Sequence, residues 1–213
     1  RMALFSFIHS INTLLGSSIF EQVSVILARP NFLVVERQYK GLPSECNRSI
    51  FTKINDMLNS IQSGLTEPNK INEIRMLTNI KQADEIVKTK PQLVDLYLKS
   101  HDGFEYYIDL KTAKPNIGSF AAHKRTLLDW VGLRQTLGKQ DRLKTLIAIP
   151  YNPYEPKPYQ RWTLRGILDI KEELKVADEY WDFVGGIGTY DALLDVFAQA
   201  GKELHPIIES RFS

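Results

Sequence analysis

The sequence predicts an α/β or α+β sandwich in which helices cover a sheet, and three observations carry that expectation. Apolar residues recur at helical spacing through most of the first 90 positions. The period then changes to two between Leu93 and Lys111. A basic helical stretch, a short apolar run and a final helix follow. Helices, then strand–strand–helix–strand, then helix is the element order of a sheet packed against helical layers.

In chain order, Leu4, Phe7, Ile8, Ile11, Leu14 and Leu15 repeat with helical period, and Ile19, Phe20, Val23, Ile26 and Leu27 continue it to Arg29-Pro30. Ile50, Phe51, Ile54, Met57, Leu58 and Ile61 mark an amphipathic helix ended by Gly64. Thr66-Glu67-Pro68 opens another, carrying Ile71, Ile74 and Leu77. Leu93–Lys99 and Phe104–Lys111 alternate as strands around His101-Asp102-Gly103. Gly118-Ser119 opens a helix with Phe120, Leu127, Leu128, Val131 and Leu137 toward the core. Leu143–Ile149 reads as a buried strand stopped by Pro150, and Tyr151–Arg165 as a Pro-, Tyr- and Arg-rich loop. Trp181–Gly186 reads as a connection, and Thr189 caps a last helix through Leu194 and Phe197.

The 213 residues fit one domain, 43% hydrophobic and 24% charged, which excludes a disordered chain, a collagen and a coiled-coil rod. The expected organisation is a single unit: 1–90 mainly helical, 91–150 an αβ core, 151–213 a loop and C-terminal helices. Cys46 is the single cysteine, so neither an intramolecular disulfide framework nor a Cys-rich zinc site is expected. His9, His101, His123 and His205 form no His-x-x-x-His pair. The apolar run at Ala3–Ile8 is too short to span a membrane and lacks a small-residue cleavage site. A reduced, cytoplasmic protein with no membrane association is the expectation.

The formal charge of +2 is unevenly spread. Residues 1–110 hold 12 basic and 12 acidic side chains, 111–165 hold 11 basic and 3 acidic, and 166–213 hold 4 basic and 10 acidic. A strongly basic middle suggests an anionic partner there; the alternative is a solvated basic helix balanced by the acidic tail.

The chemistry is concentrated in the hairpin. On its second strand Phe104, Tyr106, Ile108 and Leu110 share one face, while Glu105, Tyr107, Asp109 and Lys111 share the other. A two-residue Asp102-Gly103 loop would set Asp95 opposite Leu110, on the wrong face. A three-residue loop with Gly103 left-handed pairs Ser100 with Phe104 and sets Asp95 opposite Asp109. Only this register brings both apolar faces together, and burial specifies register. Two facing carboxylates repel, and a divalent cation relieves them; hard oxygen donors suit Mg²⁺. Such a site polarises a phosphodiester and acidifies a bound water, which Lys111 orients or whose developing charge it stabilises. A surface hairpin with one charged face is the structural alternative.

Pro91 followed by Asp95, then Asp109-Leu110-Lys111, resembles the PD-(D/E)xK nuclease superfamily, although the proline is not adjacent to the aspartate. The segments IDLKTAKPN and WDFVGG are similar to the TdeIII-like type II restriction endonucleases over roughly residues 90–200. The resemblance implies a restriction-endonuclease-like core, a mixed β-sheet flanked by helices with a helical N-terminal region. It also implies Mg²⁺-dependent cleavage of double-stranded DNA at a short GC-rich palindrome of the GGNCC kind, leaving 5′-phosphate and 3′-hydroxyl ends. Asp95, Asp109 and the Leu110 carbonyl are the implied metal ligands, and Lys111 the catalytic lysine. Members of the superfamily often add an acid from the preceding helix, for which Glu73 and Glu85 are candidates, and Glu105 could bind indirectly.

On the following helix Lys124, Arg125 and Arg134 are expected to meet DNA phosphates, or else to form a solvated basic face. His123 is read as a surface or packing histidine. In the loop, Asn152, Gln160, Arg161 and Arg165 are expected at DNA, because such side chains read base edges. WDFVGG is expected to be structural, and Gly185-Gly186-Ile187-Gly188 lacks the Gly-Lys-Ser/Thr of a nucleotide loop. A palindrome calls for a homodimer. The rivals are a repair or junction nuclease on the same core, a non-catalytic DNA-binding module, and a helical interaction protein.

Overall fold

The structure is a computed structural model that describes residues 18–80, 85–111, 120–138, 142–160 and 166–212. Its elements are α1 (Ser18–Ala28), β1 (Val34–Tyr39), β2 (Glu45–Asn47), α2 (Arg48–Gln62), α3 (Lys70–Thr78), β3 (Ile86–Lys88), β4 (Val94–Lys99), β5 (Glu105–Leu110), α4 (Phe120–Thr136), β6 (Leu143–Ile149), α5 (Ile170–Glu173), β7 (Leu174–Val176), α6 (Asp178–Gly185) and α7 (Thr189–Phe212). A five-stranded mixed sheet runs β1-β4-β5-β6-β7, and β2 and β3 form a separate two-stranded ribbon. β1, β4 and β5 are antiparallel neighbours, whereas β5–β6 and β6–β7 are parallel. This is a mixed α/β sheet flanked by helices, with helical N-terminal elements.

The β4–β5 hairpin has the three-residue turn. Leu96 pairs with Ile108, Tyr97 with Tyr107, Leu98 with Tyr106 and Lys99 with Glu105. The Ser100 amide donates to the Phe104 carbonyl at 2.9 Å. Gly103 closes the loop at φ +89°, a conformation that costs a residue with a Cβ.

Val94, Leu96, Leu98 and Ile108 are fully buried. The apolar hairpin face packs on Phe32 and Phe183, whose rings lie 6.1 and 5.0 Å from Tyr106. The opposite face packs on α4, where Trp130 meets the Tyr107 ring edge-on at 6.2 Å. A second cluster joins α2, α3 and α4 through Ile50, Ile54, Met57, Leu77, Leu128 and Val131.

Several expectations need correction. Among the described residues of the first 90, helices form the larger part, but three strands that the sequence pattern does not show accompany them. β1 escapes the sequence pattern because Val34-Val35 is followed by three polar residues, which masks the alternation; β2 and β3 are only three residues each. Trp181–Gly186 is not a connection, since all but Gly186 belongs to α6. Tyr180, Trp181 and Val184 form its buried stripe, and the glycines that suggest a turn mark its C-terminal end. α5 and β7 have no counterpart among the expected elements. On α3 the inward positions are Lys70, Glu73 and Leu77, so Ile71 is exposed. Ile26 and Leu137 are exposed as well. The helical pattern at Leu4–Leu15 lies outside the described residues.

Candidate active site

Asp95 and Asp109 lie one step beyond the last ladder pair, Leu96–Ile108, so the register directs both onto the α4 face of the sheet. The Asp95 carboxylate accepts a hydrogen bond from the Leu110 amide at 2.9 Å, replacing the ladder bond there. β5 runs on beside β6, and the Lys111 amide donates to the Ala148 carbonyl at 2.9 Å. The chain therefore stays extended through Lys111, whose Nζ reaches Asp109 Oδ1 at 2.6 Å. From the first turn of α4, His123 Nδ1 stands 3.7 Å from the other Asp109 oxygen.

The electrostatics fit this crowding. Burial, then the neighbouring Asp109 charge, pushes Asp95 up to about 6, with the Leu110 amide and Lys111 opposing. Burial first, then Lys111, depresses His123 and so disfavours its charged form. A small divalent cation would relieve the two carboxylates. Among the described residues no group of three or more His, Cys, Asp and Glu side chains could hold a metal ion. Two carboxylates and a backbone carbonyl suit Mg²⁺ nonetheless, because that ion keeps several of its waters.

The raised Asp95 makes a stability prediction. Its folded value lies above the ordinary 3.8, so its favourable contribution is complete below about pH 4 and is lost as pH rises through about 6. Asp95→Asn should therefore stabilise the metal-free protein at pH 8 by on the order of 2–3 kcal/mol, and have little effect at pH 4. Melting curves in chelator at the two pH values test this; equal gains at both would refute it.

The remaining sequence-predicted residues are placed differently. Lys124 is fully buried and cannot reach a phosphate: its Nζ contacts Glu73 at 2.6 Å and Glu173 at 2.7 Å. Lys70 Nζ lies 2.9 Å from the other Glu173 oxygen, completing a buried quartet that joins α3, α4 and α5. Burial alone would raise Glu173, but Lys70 and Lys124 outweigh it and hold the carboxylate below its usual range. Glu73 is thus engaged with Lys124 rather than brought to Asp109. Arg134 is also buried, ion-paired with Glu105 at 2.8 Å, which corrects its expected phosphate contact and accounts for Glu105. Glu85 pairs with Arg48 at the surface.

Arg125 is partly exposed, donating to Asn55 at 2.8 Å and lying over the Phe51 ring. Asn152 braces its own loop, donating to the Lys157 carbonyl and accepting from the Tyr154 amide. Gln160 is exposed, and Arg161 and Arg165 lie outside the described residues. Sequence reasoning misses His123 as a neighbour of Asp109; the signal for it is a place in the first helical turn after the Asp-x-Lys strand.

Known proteins resemble this chain along most of its length. A family model described as type II restriction endonuclease, HinfI, matches residues 1–201. The type II restriction enzyme HgiEI of Herpetosiphon aurantiacus is 25% identical over 203 residues, covering 94% of this chain and 73% of the relative. HgiCII of the same organism is 24% identical over 210 residues, with the same two coverages. The type II restriction enzyme MjaII of Methanocaldococcus jannaschii is 26% identical over 213 residues, covering 94% of this chain and 56% of the relative.

Proposed function

Because this chain belongs to the HinfI family of type II restriction endonucleases, we propose that Asp95, Asp109 and Lys111 are its catalytic residues and that it cuts duplex DNA on a PD-(D/E)xK core. The carrying observation is the meeting of Asp95 and Asp109 on one sheet face, with Lys111 Nζ 2.6 Å from Asp109. Asp95, Asp109 and the Leu110 carbonyl would hold Mg²⁺, which supplies polarisation of the phosphodiester and a more acidic water. Lys111 orients the attacking water and stabilises charge developing on the phosphate. Asp109 fixes the lysine, and the Leu110 amide fixes Asp95. In-line attack at phosphorus then leaves a 5′-phosphate and a 3′-hydroxyl.

We read the whole chain as one unit, with residues 91–150 as its core. Each chain carries one such site and cuts one strand at a time, so a palindromic target calls for a homodimer, with each copy meeting an equivalent half-site. Arg125, Gln160, Arg161 and Arg165 remain the proposed DNA contacts from the basic segment. The TdeIII-like branch rests on IDLKTAKPN and WDFVGG; the HinfI match bears on the broader family. No helix among the described residues is long and apolar enough to cross a membrane, and a DNA substrate suits the cytoplasm.

The test is digestion of a mapped plasmid by the purified protein. Discrete fragments with Mg²⁺ and none with chelator are expected. Binding without cleavage in Mg²⁺ would overturn the nuclease reading.

A further inference from the structure

A cavity of about 460 Å³ lies between the β2–β3 ribbon, α2 and α4, and the cleavage chemistry leaves it unused. Its walls include Ile50, Phe51, Ile54 and Leu133. Polar groups converge on this apolar lining, as in small-ligand sites. The Asp129 carboxyl is one; burial pushes it up to about 6, against the opposing charge of Arg125, whose Nε is 3.8 Å away, too far for a hydrogen bond. Thr89 Oγ1 is buried without a hydrogen-bond partner among the described residues. Lys88 and Lys90 are exposed at the rim, and Arg125 lies across the Phe51 ring at 5.2 Å.

The walls run into the catalytic residues. Gln92 lines the cavity three positions ahead of Asp95. An extended chain covers at most about 3.6 Å per residue, so the Gln92 and Asp95 backbones lie within about 11 Å of each other. Arg125 follows His123, the neighbour of Asp109, by two residues.

We propose that this cavity receives one nucleobase of the DNA substrate, rotated out of the duplex. The inference rests on the DNA-cleaving reading above. Phe51 and the aliphatic wall cover the base faces, Lys88 and Lys90 attract the flanking phosphates, and Asp129 meets the hydrogen-bonding edge. Enzymes that take a base out of the stack hold it by such apolar contact and read its exposed edge. A carboxylate accepts from exocyclic amino groups, so cytosine, adenine or guanine is favoured over thymine, which has none.

The experiment titrates the full-length protein, without metal, with the 5′-monophosphates of deoxycytidine, deoxyadenosine, deoxyguanosine and thymidine, and with deoxyribose 5-phosphate as a control that lacks the base. Calorimetry or ligand-observed NMR reads the affinity. At least one amino-bearing nucleotide should bind about tenfold or more tighter than deoxyribose 5-phosphate, the scale of one good edge contact. Phe51→Ala, at a position 41% exposed and so tolerant of truncation, should weaken every nucleotide. Asp129→Ala should narrow the preference over thymidine. Nucleotides that bind no tighter than deoxyribose 5-phosphate, or binding unchanged in Phe51→Ala, overturn the proposal. Plasmid cleavage by the same preparation tests the nuclease reading separately, so cutting without nucleotide binding refutes the cavity assignment alone.

Discussion

Asp109→Ala and Lys111→Ala should each reduce plasmid cleavage by about 10²–10³-fold or more, the scale on which a site loses a preorganised charge, while the melting transition stays cooperative. Asp109 is the junction of the site. One oxygen holds Lys111 Nζ at 2.6 Å and the other faces His123 at 3.7 Å, so its loss removes the proposed metal donor and frees the lysine together. Lys111 is 28% exposed at its side chain, and truncating it opens no core cavity. Asp95→Asn should be equally inactive, since a neutral amide is a poor Mg²⁺ ligand, yet more stable near neutral pH. Inactivity joined to gained stability marks a group kept for chemistry at a cost to the fold. Cleavage at the wild-type rate by Lys111→Ala would move the active site elsewhere.

Lys124→Met should destabilise the protein by about 3–5 kcal/mol, because it takes the cation from buried Glu73 and leaves Glu173 with Lys70 alone. Lys124 and Glu173 are fully inaccessible, and Lys70 and Glu73 are each only 3% exposed. Two lysines face two glutamates, so their formal charges cancel, and loss of one member leaves a buried net charge of one. The loss is a large part of the total stability of an ordinary domain. Adding Glu73→Met to Lys124→Met should recover part of it, since an apolar pair replaces an ion pair more cheaply than a lone charge does. Denaturant titration measures each step. A Lys124→Met variant within about 1 kcal/mol of wild type would refute the network's structural role; that threshold is an ordinary surface effect.

The β4–β5 hairpin is legible in the sequence because a single integer decides its register. One residue of slip would move Asp95 to the other sheet face, and the apolar positions on both strands exclude that slip. The basic segment is less legible. A lysine on a helix looks the same whether it faces solvent or a buried carboxylate, and the partners of Lys124 are Glu73 and Glu173, 51 and 49 positions away. Arg134 likewise finds Glu105 29 positions earlier. On α3 the apolar pattern misleads because Lys70 and Glu73 take the inward places. The cavity is assembled from three distant segments, none of which carries a local signature.

The three-residue turn also orders events during folding. Hairpins close in about 1–10 μs, so Asp95 and Asp109 approach through a local contact while both are still hydrated. β6, the parallel neighbour of β5, begins only at Leu143 and must wait for the intervening crossover. The burial that raises Asp95 is then expected to follow hairpin closure, as the remaining elements pack on a hairpin already formed. Leu98→Ala should then mainly slow folding, whereas Leu174→Ala, on the late strand β7, should mainly speed unfolding. Stopped-flow rates for the two variants separate these effects, and the opposite assignment would mean that the sheet nucleates from its parallel side.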